Sequence, residues 1–349
     1  MAETQPIVSI IIPHWNGIGI LSECLDSLKQ STYDSFELIV ADNASSDGSQ
    51  NWVKTHYAHV NLLENDQNYG YAGGCNRGAE IANGKYLLFL NNDTIQDPNW
   101  LQPLVERMEE NDTIAALQPK ILNYFKREVF DYAGGSGGHM DLFCYPFARG
   151  RIFLEQETDS GQYDDAQRCF WASGTAIMVR KDLFFSAGKF DKTFFAHMEE
   201  IDLCWRLQAM GHEVWAEPKS VVYHKNAVSL PMHSQRKYYL NHRNSLLMLF
   251  GNYSLPVTLY VGFIRLMLEF VALGYAMIKS DWNHVTGILK SLGWIILHPL
   301  AIIKKRSRFK KLRQVRDKEI MSNMAKTSVV LAHYLGGKKT YLDIESKAS

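Results

Sequence analysis

The chain has 349 residues, 46% of them hydrophobic and 21% charged, with a formal net charge of zero. That composition excludes a disordered tail, a collagen-like repeat and a strongly basic nucleic-acid binder, and leaves ample material for a large core. The balance conceals an asymmetry, because residues 304–318 hold nine Lys or Arg against one Asp, so the rest of the chain is correspondingly acidic.

Val8-Ser9-Ile10-Ile11-Ile12 is predicted to be a buried strand ending at Pro13. It is too short for a signal peptide and lacks a basic leader. Leu21, Cys24, Leu25 and Leu28 follow at helical spacing, and Phe36 to Val40 form the next strand, ending at Ala41-Asp42-Asn43. A polar turn over Ala44 to Ser49 offers N-cap residues for a helix containing Trp52 and Val53. Val60 to Leu63 reads as a third strand. Asn68 to Gly78 form a glycine-rich turn opening a helix through Ala79 and Ile81, and Tyr86 to Leu90 form a fourth strand. This alternation predicts an α/β fold with a doubly wound, mostly parallel sheet.

From Asp97 to Asp165 the pattern is looser. Asp131 to Gly138 is expected to be a flexible loop, and Glu155 to Asp165 an acidic, turn-rich segment. Cys169 to Val179 is expected to form one strand with a small-residue kink, followed by a helix over Lys181 to Ala187 and a turn at Gly188-Lys189-Phe190-Asp191. A helix opening at Glu199-Glu200 and ending at Gly211 precedes two short strands, Val214 to Pro218 and Val221 to His224.

Beyond Ser234 the chain turns helical and apolar. Pro256 to Ile278 is long enough to span a bilayer, but Arg265 and Glu269 would each cost roughly 2.5–3.5 kcal/mol at its centre. Their i,i+4 spacing allows pairing. Ile288 to Ile303 is interrupted by Lys290, His298 and Pro299. Helices lying in the interface, with the basic run on an anionic leaflet, account for this pattern; a helical cap packed on the preceding domain is the alternative. The expected organisation is therefore a catalytic domain over 1–233, in halves of about 1–97 and 98–233, and a helical, membrane-associated extension over 234–349. Five scattered cysteines without a C-x-x-C favour a reducing, cytoplasmic setting.

Four features carry chemistry. The apolar strand Tyr86 to Leu90 stops at Asn91-Asn92-Asp93, which would deliver a carboxylate to the sheet edge where open α/β folds bind ligands. In isolation a strand followed by a polar Asn/Asp turn is the better account of that stretch; the rest of the chain favours the site. Asp42 is suited to accept a base N–H, Gly70 to Gly74 permit close approach to a ligand, and Asn76 and Arg77 are candidates to meet base, ribose or phosphate. Glu199, Glu200 and Asp202 lie within four residues, where like charges raise one another's pKa; a solvated acidic turn with Asp202 paired to Arg206 is the alternative. Gly17-x-Gly19 lacks the third glycine of a dinucleotide fingerprint and no G-x-x-x-x-G-K is present, so NAD and P-loop sites are poor candidates.

Taken in order, Val8 to Pro13, Val40 to Ser45, Gly70 to Asn76, Leu90 to Asp93, Trp171 to Gly174, Gly188 to Asp191, Glu199 to Arg206 and Val222 to His224 resemble the family 2 glycosyltransferases of GT-A fold. The nearest subgroup is the rhamnosyltransferase-like enzymes of bacterial cell-surface polysaccharide synthesis, and the match covers about Ile7 to Phe250. The resemblance implies single-sugar, inverting transfer from a nucleotide-diphosphate sugar, with dTDP-rhamnose the favoured donor and a glycan or lipid-linked acceptor. Pro13, Trp15, Asn16, Asp42, Asn43, Gly74, Asn76, Arg77, Asn91, Asn92 and Asp93 would bind the nucleotide donor. Asp93 and His224 would hold Mn²⁺ or Mg²⁺, Trp171, Ser173, Gly174 and Asp202 would face the sugars, and Glu200, with Glu199 second, would be the base. The implied location is peripheral, on the cytoplasmic face of the bacterial inner membrane, with no nucleic-acid partner. A catalytically inactive scaffold of the same fold and a sugar-phosphate nucleotidyltransferase are the competing readings.

Overall fold

The computed structural model describes residues 5–226, 231 and 233–345. The first four strands are β1 (Val8–His14), β2 (Phe36–Asp42), β3 (Asn61–Glu64) and β4 (Tyr86–Leu90), alternating with α1 (Ile18–Leu28), α2 (Ser49–His56) and α3 (Gly70–Ile81). They pair in parallel in the order β3-β2-β1-β4, and the largely apolar, buried β1, β2 and β4 suit a sheet covered on both faces.

The next segment is more regular than the sequence pattern suggested. After β5 (Thr94–Gln96) and α4 (Leu101–Glu110) comes β6 (Ile114–Asn123), ten residues of which nine are buried. Gln118, Pro119 and Lys120 break its apolar run, yet each polar side chain has an interior partner. Gln118 accepts from the backbone of Ser173 at 2.8 Å, and Lys120 donates to Asp159 at 2.7 Å.

The stretch expected to be a flexible loop at Asp131 to Gly138 is packed. Asp131 is fully buried, and a Cβ on Gly138 would fall 2.1 Å from the indole of Trp171. It leads into a small antiparallel sheet of β7 (Gly138–Met140), β8 (Pro146–Ala148), β9 (Arg151–Ile152) and β10 (Glu155–Gln156). Cys169 to Val179 is not one kinked strand. It divides into β11 (Gln167–Cys169), paired with β13 (Glu213–His224), and β12 (Ala176–Arg180), paired antiparallel with β4 and β6. The two short strands expected over 214–224 are one strand, β13, whose register against β6 shifts between Glu217 and Val221. The complete order is β11-β13-β6-β12-β4-β1-β2-β3, with β5 on β13.

α5 (Lys181–Ser186) and α6 (Glu199–Ala209) precede β13. Four long helices follow: α7 (Gln235–Asn252), α8 (Leu255–Ile278), α9 (Trp282–Leu297) and α10 (Pro299–Leu312). α8 buries Thr258, Val261, Gly262, Arg265 and Glu269 on one face and exposes Leu259, Tyr260, Phe263, Phe270 and Val271 on the other. The Arg265 Nε donates to Glu269 Oε1 at 2.9 Å, and Arg265 also reaches the Phe143 carbonyl at 2.7 Å and Ser245 Oγ at 2.9 Å. The charged pair is thus directed into protein while the apolar face points outward.

The basic run is partly folded in. Lys305 pairs with Asp202 at 2.6 Å, Arg313 with Asp317 at 2.6 Å, and Arg306 donates to the Phe250 carbonyl at 2.6 Å. Past α11 (Asp317–Met321), the tail returns through α12 (Val329–Tyr334) and α13 (Tyr341–Glu345). There Val329, Tyr341 and Ile344 share a core with Phe130, Phe147 and Ile152 of the N-terminal part, so the expected extension closes back on the domain before it.

Candidate active site

β4 delivers Asn91-Asn92-Asp93 to the rim. The Asn91 backbone donates to the Thr175 carbonyl at 2.9 Å, and the Asn92 amide lies 2.9 Å from His14 Nδ1. β5 then pairs with the end of β13, Thr94 opposite His224, which places His224 Nε2 3.1 Å from Asp93 Oδ1. On the other side of the ring, Nδ1 lies 2.9 Å from Asp131 Oδ1, and Asn226 donates to Asp131 Oδ2 at 2.6 Å. Burial alone would lower the pKa of His224, but the carboxylates of Asp131 and then Asp93 outweigh it and push the ring up to about 10. The ring is therefore held protonated, and a cation bound at Nε2 would take the place of that proton.

A divalent cation fits this donor set. Asp93 and His224 Nε2 are adjacent, and a carboxylate on the far ring nitrogen is the usual way a ligating imidazole is oriented. Among the described residues no group of three or more metal-type side chains converges, so diphosphate oxygens and water would complete the shell. Asp131 was missed from sequence, where it reads as the first residue of a glycine-rich loop.

The residues expected to meet the nucleotide begin at the ends of β1 and β2. Pro13, next to last in β1, lies opposite Ala41, and Trp15, just past the strand, is exposed. Asn16 takes a left-handed φ of 56° and accepts from the Ser46 backbone at 2.9 Å, tying its turn to the 42–49 loop. Asp42 is buried and engaged locally, accepting from Ser45 N at 2.9 Å and Gln50 Nε2 at 2.6 Å. Asn43 donates to the Gly70 carbonyl at 3.1 Å and accepts from Asn65 at 3.0 Å. A Cβ on Gly74 would come within 2.9 Å of that Asn43 amide, which accounts for the glycine by packing. Arg77 bonds Asn65 and lies 4.9 Å over the Tyr69 ring. Asn76 departs from expectation. Its amide donates to and accepts from the Phe190 backbone, at 2.9 and 3.0 Å, in the interior, so both ends of the group hold the fold.

α6 opens at the acidic pair. Phe195, His197 and Met198 all have positive φ (64°, 67° and 71°), a conformation costing of order 1–3 kcal/mol per residue. α7 holds this turn in place. Asn244 donates to the carbonyls of Ala196 and His197 at 2.9 and 2.6 Å, and Arg243 to those of Thr193 and Phe194 at 2.8 and 3.0 Å. Burial, followed by the neighbouring Glu200 charge, holds the Glu199 carboxyl well above the usual range. Burial raises Glu200 to about 7, partly offset by backbone N–H donors at the helix start. Tyr71 donates to the Gly174 carbonyl at 2.5 Å, and a Cβ on Gly174 would approach Glu200 Cδ to 3.6 Å. The segment 173–175 thus links the Glu200 carboxyl to the tip of β4.

The other residues expected to face the sugars are engaged inside. Trp171 donates to the His139 carbonyl at 2.8 Å, and Ser173 to that of Ala133 at 2.9 Å. Asp202 is fully buried, with Arg206 at 2.9 Å, Asn252 at 2.9 Å and Lys305 at 2.6 Å. These three support the site's walls, and Asp202 binds helices together.

A family model described as glycosyl transferase family 2 matches residues 9–183. The chain is 28% identical over 234 residues to the O-antigen biosynthesis protein RfbC of Myxococcus xanthus, covering 64% of this chain and 18% of that protein. It is 25% identical over 244 residues to the N-acetylglucosaminyl-diphospho-decaprenol L-rhamnosyltransferase of Mycobacterium tuberculosis, covering 64% and 77% respectively. The chain thus spans less than a fifth of the Myxococcus relative. Its backbone superposes on GalNAc-T7, solved with UDP, GalNAc and Mn²⁺, with a TM-score of 0.63 at 16% identity, covering 95% of this chain and 58% of that one. The sheet order and helical layers are those of the GT-A fold.

Proposed function

Since the chain belongs to glycosyltransferase family 2, we propose that it is an inverting sugar transferase of cell-surface polysaccharide synthesis, with Glu200 as base and a metal at Asp93 and His224. The observation that carries this reading is the rim itself, where the Asp93–His224–Asp131 chain and the Glu199–Glu200 pair are joined through residues 173–175. The favoured donor is dTDP-L-rhamnose and the favoured acceptor a lipid-linked glycan. A relative named as a rhamnosyltransferase and one named for O-antigen synthesis support that choice.

When bound, Mn²⁺ or Mg²⁺ supplies charge neutralisation for the leaving diphosphate. Asp93 and His224 hold it, and Asp131 keeps Nε2 turned toward it. Arg77 offers a further cation to the phosphates. Glu200, poised near pH 7, accepts the proton of the acceptor hydroxyl as that oxygen attacks the anomeric carbon from the face opposite the diphosphate. The bond to the diphosphate oxygen breaks as the new glycosidic bond forms, so one displacement inverts the centre. Glu199 keeps its proton and spares Glu200 a second adjacent charge.

The outward apolar face of α8 supports a peripheral place on the cytoplasmic leaflet of the inner membrane, where a lipid-linked acceptor would lie. α8 is long and apolar enough to cross a bilayer, but its buried Arg265–Glu269 face docks it along the protein. A thermal-shift panel of dTDP-, UDP- and GDP-sugars with Mn²⁺ tests the donor, because a ligand of the native state raises its stability. Stabilisation by dTDP-rhamnose above the other sugar nucleotides is expected. Equal, metal-independent shifts across the panel would remove the donor assignment.

A further inference from the structure

α10 leaves α9 through a 73° bend at His298. Leu300, Lys304 and Arg308 follow one another at four-residue steps along one line of the helix, about 6 Å apart, and all three are exposed. Beside the two cations lies a cavity of about 270 Å³, lined also by Asp191, Thr193 and Lys305. The cavity's own acid is neutralised. Lys305 lies 3.4 Å from Asp191 Oδ2 and 2.6 Å from Asp202 Oδ1, while Arg206 holds the other Asp202 oxygen. Asp191 is held down to about 2 against the pull of burial, chiefly by Lys305. Lys304 and Arg308 have no carboxylate within ion-pair distance among the described residues. Arg243 adds another buried cation by donating to the Thr193 carbonyl.

The pocket's acid is therefore paired, and two cations without an ion-pair partner among the described residues stand at its edge; the exposed apolar side chains of Leu297, at the end of α9, and of Leu300 and Ile303, in the first turns of α10, precede them along the chain. We propose that it binds the phosphate of an anionic membrane lipid, with Lys304 and Arg308 on the headgroup and acyl chains along Leu297, Leu300 and Ile303. This inference rests on the membrane reading above and adds a specific headgroup site to it. Charge complementarity and the apolar-to-basic step along α10 select a lipid phosphate over a free anion, which has no use for the apolar border. Thr193 adds a polar group to the wall, two residues from Asp191 in the turn that leads to Glu199, so lipid seated there would lie beside the catalytic turn.

The test compares Lys304→Gln/Arg308→Gln with Lys310→Gln/Lys311→Gln, which removes the same charge from exposed positions of the same helix outside the cavity lining. Vesicle flotation with phosphatidylglycerol-rich membranes is run at low and high salt, alongside calorimetry with monomeric short-chain phosphatidylglycerol and with inorganic phosphate. At about 1 M salt screening acts over about 3 Å, so diffuse attraction vanishes and direct contact survives. The pocket variant is expected to bind anionic vesicles about tenfold more weakly than the control variant at high salt, and to lose short-chain lipid binding. Equal behaviour of the two variants overturns the pocket and leaves general attraction to the membrane. Phosphate binding as tight as the lipid overturns the lipid assignment. Wild-type protein that floats with no vesicle overturns the membrane reading, and the short-chain lipid titration then decides the pocket on its own.

Discussion

Replacing Glu200 with Gln removes the proposed base while keeping its shape. With a carboxyl pKa of about 7, roughly a tenth of the protein carries the base at pH 6 and roughly nine-tenths at pH 8. The wild-type rate should therefore rise about tenfold across that interval, and the variant should lose the limb along with about 10²–10⁴-fold in kcat. Stability must move the other way. A carboxyl whose pKa is raised on folding contributes fully below its unfolded value near 4.5, and that contribution is lost as pH climbs through 7. At pH 8 the charge on this half-buried carboxylate, discounted for partial solvent screening, costs on the order of 1–3 kcal/mol, which Gln would relieve. The variant should thus melt higher than wild type at pH 8 and close to it at pH 4. Initial rates with a saturating donor and thermal melts across the same buffers give both readouts. A mild Glu200→Gln beside a crippling Glu199→Gln, or an unchanged pH limb, refutes this assignment.

At the metal corner, Asp93→Ala or His224→Ala should remove most activity without unfolding the protein, and full activity in EDTA would contradict the corner's role. Asp131→Asn should weaken Mn²⁺ binding about 10–100-fold, the usual worth of a partner that orients a ligating imidazole; electron paramagnetic resonance of free Mn²⁺ reads this directly, and unchanged affinity would make Asp131 purely structural. Arg265→Ala should cost about 3–5 kcal/mol in denaturant melts, because it leaves the buried Glu269 with only His242, at 2.7 Å, as a charged partner; a loss below 1 kcal/mol would mean that His242 alone balances the carboxylate. Phe263→Asp/Phe270→Asp, on the outward face of α8, should abolish vesicle binding and leave the melting temperature within a few degrees, whereas retained binding would put the contact elsewhere.

The parallel half of the sheet was legible because β1, β2 and β4 are mostly apolar runs and the turns between them are rich in Gly, Asn and Asp. β6 was hidden because Gln118, Pro119 and Lys120 interrupt its pattern, and their partners, Ser173 and Asp159, are about 40 residues or more away. The Asp131 to Gly138 segment looked mobile for a related reason. Its glycines are there for close packing under Trp171 and against Arg149, which composition alone does not distinguish from flexibility. The carboxylates of the site could be found as residue types just past a strand end and at a helix start. Asp131 could not, because only the docking of β5 on β13 brings His224 between it and Asp93. Asn76, Trp171, Ser173 and Asp202 show the converse, since each stands in a recognisable motif yet is bonded to protein groups in the interior. Arg265 and Glu269 were legible as a pair from spacing, but the face that buries them depends on α7 and the Phe143 loop. The α7 anchors Arg243 and Asn244 had no local signal at all.

The central claim is that a divalent cation at Asp93 and His224 activates a nucleotide-diphosphate sugar in this chain. The most direct measurement is release of nucleoside diphosphate from dTDP-rhamnose and its UDP- and GDP-linked counterparts, with Mn²⁺ or with EDTA, by wild type and Asp93→Ala. The account predicts turnover of one donor by wild type with Mn²⁺ alone, and loss of that turnover in EDTA and in the variant. Equal release in all four conditions, or turnover by Asp93→Ala at the wild-type rate, would contradict it.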